Sequence, residues 1–248
     1  MHQLVAVWRI LRACTHVLHG MAVMTRFPAL DEAARHERIR WWSAGLVRAM
    51  GLTLQVSGTA RPGATLIVAN HISWLDVAAI HAAAPHARFV SKSDVLAWPL
   101  LGWLIRNAGT LFIERERKRD AMRVVHQLAQ ALQAGETVAV FPEGTTSDGT
   151  GLLPFHANLL QAAISTETPV QAVALRYRDA FEPISQAAPY LGETTLAQSL
   201  WSVAMAQGLR VSVVVLDAQG TRHLDRRALA QRLRVQIAEV LGVVLPPA

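Results

Sequence analysis

From Gly51 onward the chain alternates short apolar runs with longer amphipathic stretches. Leu52–Val56, Thr65–Ala69, Arg88–Val90, Leu111–Ile113, Thr137–Phe141, Val170–Leu175 and Arg210–Leu216 have the length and apolar content of buried strands. Between them, Trp74–Ala84, Val95–Asn107, Arg119–Gln133, Ala157–Ser165, Leu196–Gln207 and Arg226–Leu241 read as helices. The last is the best defined. Asp225 stands where an N-cap belongs, Leu229, Leu233, Ile237 and either Val240 or Leu241 share one face, and Gly242 follows as a stop. Such alternation predicts an α/β domain with a central, mostly parallel sheet flanked by helices. Phe181–Gly192, with two prolines and no periodicity, is expected to be a surface loop.

The first fifty residues have a different character. Arg9, Arg12, His16 and His19 are three, four and three residues apart and fall on one helical stripe, while Val5, Leu11, Val17, Leu18 and Val23 lie elsewhere. Residues 4–27 would extend roughly 36 Å as a helix, enough for a tilted span. Each arginine at mid-bilayer would cost roughly 2.5–3.5 kcal/mol, however, so an interfacial helix is the better expectation. The same arginines break the apolar run of a signal peptide, and no convincing small-residue cleavage site follows. Residues 33–50 place Ile39, Trp42, Leu46 and Met50 near one face and carry Arg35, Arg38, Arg40 and Arg48, with Trp41 beside Trp42. Paired tryptophans among arginines suit a lipid headgroup layer. The expected organisation is a membrane-binding pair of amphipathic helices over 1–50, forming a hairpin, followed by a catalytic domain over 51–248.

Charge and cysteine usage narrow the picture. The formal charge of +6, from 24 Lys and Arg against 18 Asp and Glu, favours anionic partners, although charge alone does not separate phospholipid headgroups from nucleic acid. One cysteine excludes an intrachain disulfide framework and a multi-cysteine metal site, which fits a cytosol-facing location. His2, His16, His19 and His36 lack the carboxylate or cysteine company of a metal centre.

The most informative stretch is Asn70-His71-Ile72-Ser73-Trp74-Leu75-Asp76, which follows an apolar strand and opens a helix. On one continuous helix His71 and Asp76 would diverge by about 140°. They can meet if His71 lies in the preceding turn, with Ser73 or Asn70 capping the helix and the Asp76 carboxylate folding back onto the imidazole. An imidazole oriented this way keeps its other nitrogen free to take a proton from a bound hydroxyl. Phe141-Pro142-Glu143-Gly144 ends another strand in a turn, because proline stops a central ladder and glycine permits unusual backbone angles. That turn is expected to present Glu143, exposed amides and the hydroxyls of Thr145, Thr146 and Ser147 to a cleft. Arg115 follows the strand Leu111-Phe112-Ile113 within the mixed-charge run 114–119.

These blocks together resemble the glycerolipid acyltransferases typified by lysophosphatidic acid acyltransferase. Asn70 to Asp76 is similar to the family's Asn-His-x-Ser-x-x-Asp block, which implies His71 as base and Asp76 as its orienting partner. Gly109-Thr110-Leu111-Phe112-Ile113-Glu114-Arg115 resembles the second block, which implies that Arg115 contacts the acceptor phosphate. Phe141-Pro142-Glu143-Gly144-Thr145-Thr146-Ser147 resembles the third, and Thr168-Pro169-Val170-Gln171-Ala172-Val173-Ala174 the fourth. Lys92 sits where the family often has a lysine after an apolar strand. The resemblance implies catalytic His71 and Asp76, with Arg115, Glu143, Gly144, Thr145, Lys92 and Ser73 binding substrate, and neither cofactor nor metal. Its implied partners are an acyl-CoA or acyl-carrier-protein donor, a lysophospholipid acceptor and an anionic membrane surface, with no nucleic acid. The expected location is the cytoplasmic face of the inner membrane, peripheral or monotopic.

One departure stands out. Where the family commonly has Lys-x-Gly after the third block, this chain has Leu153-Pro154-Phe155-His156-Ala157-Asn158. Val95–Ile105, strongly apolar with two tryptophans, suits either an acyl-chain tunnel or ordinary core packing. The rival readings are acylation of another lysolipid such as lyso-ornithine lipid, hydrolysis with Ser73 as nucleophile, and a non-catalytic lipid-binding protein. Hydrolysis is disfavoured because no Gly-x-Ser-x-Gly is present and a two-residue separation suits Ser73 and His71 poorly.

Overall fold

The computed structural model describes residues 1–92, 111–113 and 118–245. In chain order the elements are α1 (His2–Met24), α2 (Glu32–Ala49), β1 (Thr53–Ser57), β2 (Thr65–Ala69), α3 (Leu75–Ala83), β3 (Ala87–Lys92), β4 (Leu111–Ile113) and α4 (Lys118–Gln133). There follow β5 (Thr137–Val140), a 3₁₀ turn (Ala157–Leu160) running into α5 (Gln161–Ser165), β6 (Val170–Arg178), α6 (Leu196–Met205), β7 (Arg210–Gln219) and α7 (Arg226–Leu241). The helix expected over Val95–Asn107 lies outside the described residues.

The seven strands form one sheet in the order β1-β7-β6-β2-β5-β3-β4. Every neighbouring pair is parallel except β6 with β7. The predicted α/β architecture is therefore present. Strand alternation sorts the centre of the sheet into two faces. Leu66 and Val68 of β2 join Leu128 and Leu132 of α4 and Leu229, Leu233 and Ile237 of α7. Ile67 and Ala69 join Leu75 and Ile80 of α3, Val203 of α6 and Val47 of α2. Helix α7 begins as expected, with the Asp225 carboxylate accepting from the Arg227 and Ala228 N–H groups, and ends at Gly242 in the left-handed conformation.

The arginine stripe of α1 does exist, but its basic groups turn toward the protein. Arg9 donates to the carbonyls of Ala204 and Ala206 at 2.8 and 2.6 Å, closing the end of α6. Arg12 bonds the Arg48 and Ala49 carbonyls at the end of α2. His16 bonds the Trp42 carbonyl at 2.8 Å and stacks on the Trp42 ring. Helix C-termini leave unsatisfied carbonyls and a negative dipole end, so inward guanidinium groups are satisfied there. Large apolar side chains are also exposed along α1 and at its N-cap, namely Met1, Leu4, Trp8, Leu11 and Leu18.

Candidate active site

Strands β2 and β5 are parallel neighbours, so their C-terminal ends deliver two turns side by side. Asn70 does not cap α3. Its amide accepts the Leu175 N–H at 2.7 Å and donates to the Leu175 carbonyl at 3.0 Å, extending the β2–β6 ladder by one side chain. The next residue, His71, departs from the sheet, and its backbone is fixed by the β5 turn. Its N–H donates to Glu143 Oε1 at 2.7 Å, and its carbonyl accepts from the Ser147 N–H at 2.8 Å and the Ser147 hydroxyl at 3.2 Å.

Asp76, in the first turn of α3, folds back as the spacing argument anticipates. Its Oδ2 lies 2.8 Å from His71 Nδ1 and accepts the Ile72 and Ser73 N–H groups at 2.7 and 2.9 Å. Its Oδ1 accepts the Tyr177 hydroxyl at 2.7 Å. The side chain is wholly buried, so these four donors supply the solvation that water cannot. A carboxylate only accepts, which assigns the proton to His71 Nδ1 and leaves Nε2 with its lone pair. The imidazole stacks on Phe141 with centroids 4.0 Å apart and keeps 21% of its side chain exposed. Burial and the Asp76 charge raise the Tyr177 pKa well above its usual value, keeping the phenol a donor.

Other expected site residues are placed differently from the sequence reading. Glu143 is 4% exposed and does not face a cleft. Its second oxygen accepts the Leu153 N–H at 2.9 Å, so both oxygens bind backbone. Burial raises its pKa, and the N–H donors of Leu153 and His71 oppose that shift. Ser73 is fully buried with its hydroxyl 3.4 Å from the Leu75 N–H, a location that suits neither a nucleophile nor a substrate ligand. The hydroxyls of Thr146 and Ser147 are committed to the carbonyls of Tyr190 and His71. Thr145 alone of that trio is exposed. Gly144 has φ +75°, and a Cβ there would lie 3.0 Å from the His156 ring. Lys92 ends β3, paired in register with Ile113. Arg115 lies outside the described residues.

Two contributions were not foreseen. Tyr177 is 101 residues beyond Asp76, and a tyrosine in an apolar strand carries no sequence signal that its hydroxyl reaches a particular carboxylate. The Phe181–Gly192 loop is stapled to the site: the Tyr190 N–H bonds the Ile72 carbonyl at 3.0 Å and its carbonyl accepts the Thr146 hydroxyl.

Residues 53–176 match the family model described as Acyltransferase. A lyso-ornithine lipid O-acyltransferase of Pseudomonas aeruginosa is 38% identical over 228 residues, spanning 91% of this chain and 87% of that one. The chain belongs to the acyltransferase family. A 1-acyl-sn-glycerol-3-phosphate acyltransferase of Neisseria meningitidis serogroup B is also 38% identical, over 201 residues covering 80% of this chain and 78% of its own. The crystal structure of the 1-acyl-sn-glycerophosphate (LPA) acyltransferase PlsC from Thermotoga maritima superposes with a TM-score of 0.73, covering 97% of this chain and 96% of that one at 17% identity. That likeness shows the shared fold. In an acyltransferase the arrangement can supply a proton acceptor on a solvent-accessible ring, braced from behind by a buried anion.

Proposed function

We propose that this acyltransferase moves a fatty acyl group from acyl-CoA or acyl-carrier protein to the free hydroxyl of lysophosphatidic acid, giving phosphatidic acid. The observation that carries the reading is the His71–Asp76 pair, with Nδ1 held at 2.8 Å and the ring 21% exposed; among the described residues no hydrogen bond engages Nε2. Nε2 takes the acceptor's hydroxyl proton as the oxygen attacks the thioester carbon. The tetrahedral intermediate then collapses, the C–S bond breaks, and the thiolate recovers the proton from the imidazolium. Asp76 stabilises that imidazolium, while Glu143 braces His71 through its backbone. Thr145 and Gly144, with Arg115 and Lys92 by their places in the motifs, receive the acceptor's phosphate.

A second acceptor, lyso-ornithine lipid, is supported by the Pseudomonas aeruginosa relative, whose match extends over 91% of the chain. Release of free thiol should be measured for both donors against both lysolipids, with mass spectrometry of the products. Ester formation on either lysolipid supports acyl transfer, and the preferred acceptor decides between the two readings. Thioester cleavage that ignores the acceptor would reject both.

Residues 1–50 are proposed as the membrane-facing helical hairpin, 51–248 as the acyltransferase domain, and the cytoplasmic face of the inner membrane as the location. Among the described residues no helix is long and apolar enough to cross a membrane. Met1, Leu4, Trp8, Leu11 and Leu18 recur at three-, four- and seven-residue intervals on the exposed side of α1, which suits a helix lying in an anionic lipid surface.

A further inference from the structure

Resting on the transfer reading above, we infer that His156 binds the anionic headgroup group of the acceptor lipid and helps to set acceptor preference. The segment carrying it is fastened to the catalytic turn at successive points. Arg234, more than nine-tenths buried, donates to the Leu152 carbonyl at 2.6 Å. The Leu153 N–H donates to Glu143 Oε2 at 2.9 Å, and the His156 N–H donates to the Pro142 carbonyl at 2.8 Å.

These bonds fix the segment's backbone; His156 itself is exposed, and its ring lies over Gly144. A Cβ at position 144 would stand 3.0 Å from its Cδ2 and 3.1 Å from its Nε2, so the glycine both permits the positive φ and lets the ring approach. Glu143 ties the two imidazoles into one frame, since Oε1 holds the His71 N–H and Oε2 holds the Leu153 N–H. The turn beside His71 is edged by Thr145 and His156, both exposed, and in this inference the acceptor's headgroup lies there. A ring N–H donor at that position suits an anionic oxygen, either a phosphate monoester or the free carboxylate of an ornithine headgroup.

His156→Phe keeps a flat ring over Gly144 and removes both ring nitrogens, whereas His156→Lys restores a donor. Steady-state kinetics at saturating acyl donor, with lysophosphatidic acid and lyso-ornithine lipid in separate mixed-micelle series, test the inference. The acceptor KM of His156→Phe should rise about tenfold or more, as expected for losing a charge-assisted hydrogen bond. Its kcat and donor KM should stay near wild type, and His156→Lys should recover most of the acceptor affinity. A rise confined to one lipid identifies phosphate or carboxylate as the bound group. An unchanged KM for both lipids, or a His156→Lys protein no better than His156→Phe, overturns the inference. Should His156→Phe fail to fold, judged by its melting transition, His156→Leu takes its place in the same comparison. A wild-type protein inert on both lipids would remove the transfer reading itself, a separate result read before any variant.

Discussion

Asp76 is where the structure allows the sharpest separation of folding from chemistry. Its carboxylate accepts from His71 Nδ1, from the Ile72 and Ser73 N–H groups and from the Tyr177 hydroxyl, and it is wholly buried. Asp76→Ala strands the last three donors among buried residues. At about 1–3 kcal/mol for each buried unsatisfied group, the loss is about 3–9 kcal/mol, comparable to the about 5–15 kcal/mol that stabilises a typical domain. Asp76→Asn is different. Its amide oxygen can take the place of Oδ2 and keep three of the bonds, while its NH₂ meets a Tyr177 oxygen that can turn to accept. What it loses is the negative charge behind the imidazolium, worth about 1.5–3 kcal/mol, or roughly ten- to hundredfold in kcat. Urea unfolding of both variants, set beside acceptor-dependent thiol release, reads the two effects separately. An Asp76→Ala protein as stable as wild type, or an Asp76→Asn protein with full kcat, would refute the reasoning.

Two further expectations concern stability and membrane binding. His81 is buried, bonds the Ala87 carbonyl, and has its pKa lowered from 6.5 to about 4, mainly by burial. Because the unfolded chain protonates first, stability is full above pH 6.5 and falls by about 3 kcal/mol as the pH drops toward 4. Denaturant titrations from pH 7 to 4 should show this decline and its flattening in His81→Gln; equal slopes in the two proteins would contradict it. Replacing Leu4 and Leu11 on the exposed face of α1 with glutamate should weaken binding to phosphatidylglycerol vesicles at least tenfold, since a fully inserted leucine contributes about 1.5–3 kcal/mol. Unchanged co-sedimentation with vesicles would remove α1 from the membrane contact.

Much of the fold was legible because a buried strand is short, apolar and bounded by breakers. Thr65–Ala69 and Leu111–Ile113 have the bounds that the sequence suggests. Strands β6 and β7 run on to Arg178 and Gln219, past the apolar runs that mark them, because they pair antiparallel and the ladder bonds backbone whatever the side chains are. The His71–Asp76 contact was legible because it is local, five residues apart across a turn. Glu143 was misread for the converse reason: which backbone N–H groups meet its oxygens depends on Leu153 folding back onto the turn after β5, a tertiary fact. The partners of the α1 arginines were not legible, since a stripe on a helical wheel does not say whether it meets headgroups or the open ends of α2 and α6.

The central claim is that His71 takes the proton. The most direct measurement is acceptor-dependent thiol release by purified His71→Ala, with its melting transition recorded on the same preparation. The Ile72 and Ser73 N–H groups and the Tyr177 hydroxyl still hold Asp76 in that variant, so folding should survive. The rate should drop by about two to four orders of magnitude. A folded His71→Ala protein that transfers acyl groups within a few-fold of wild type would contradict the account.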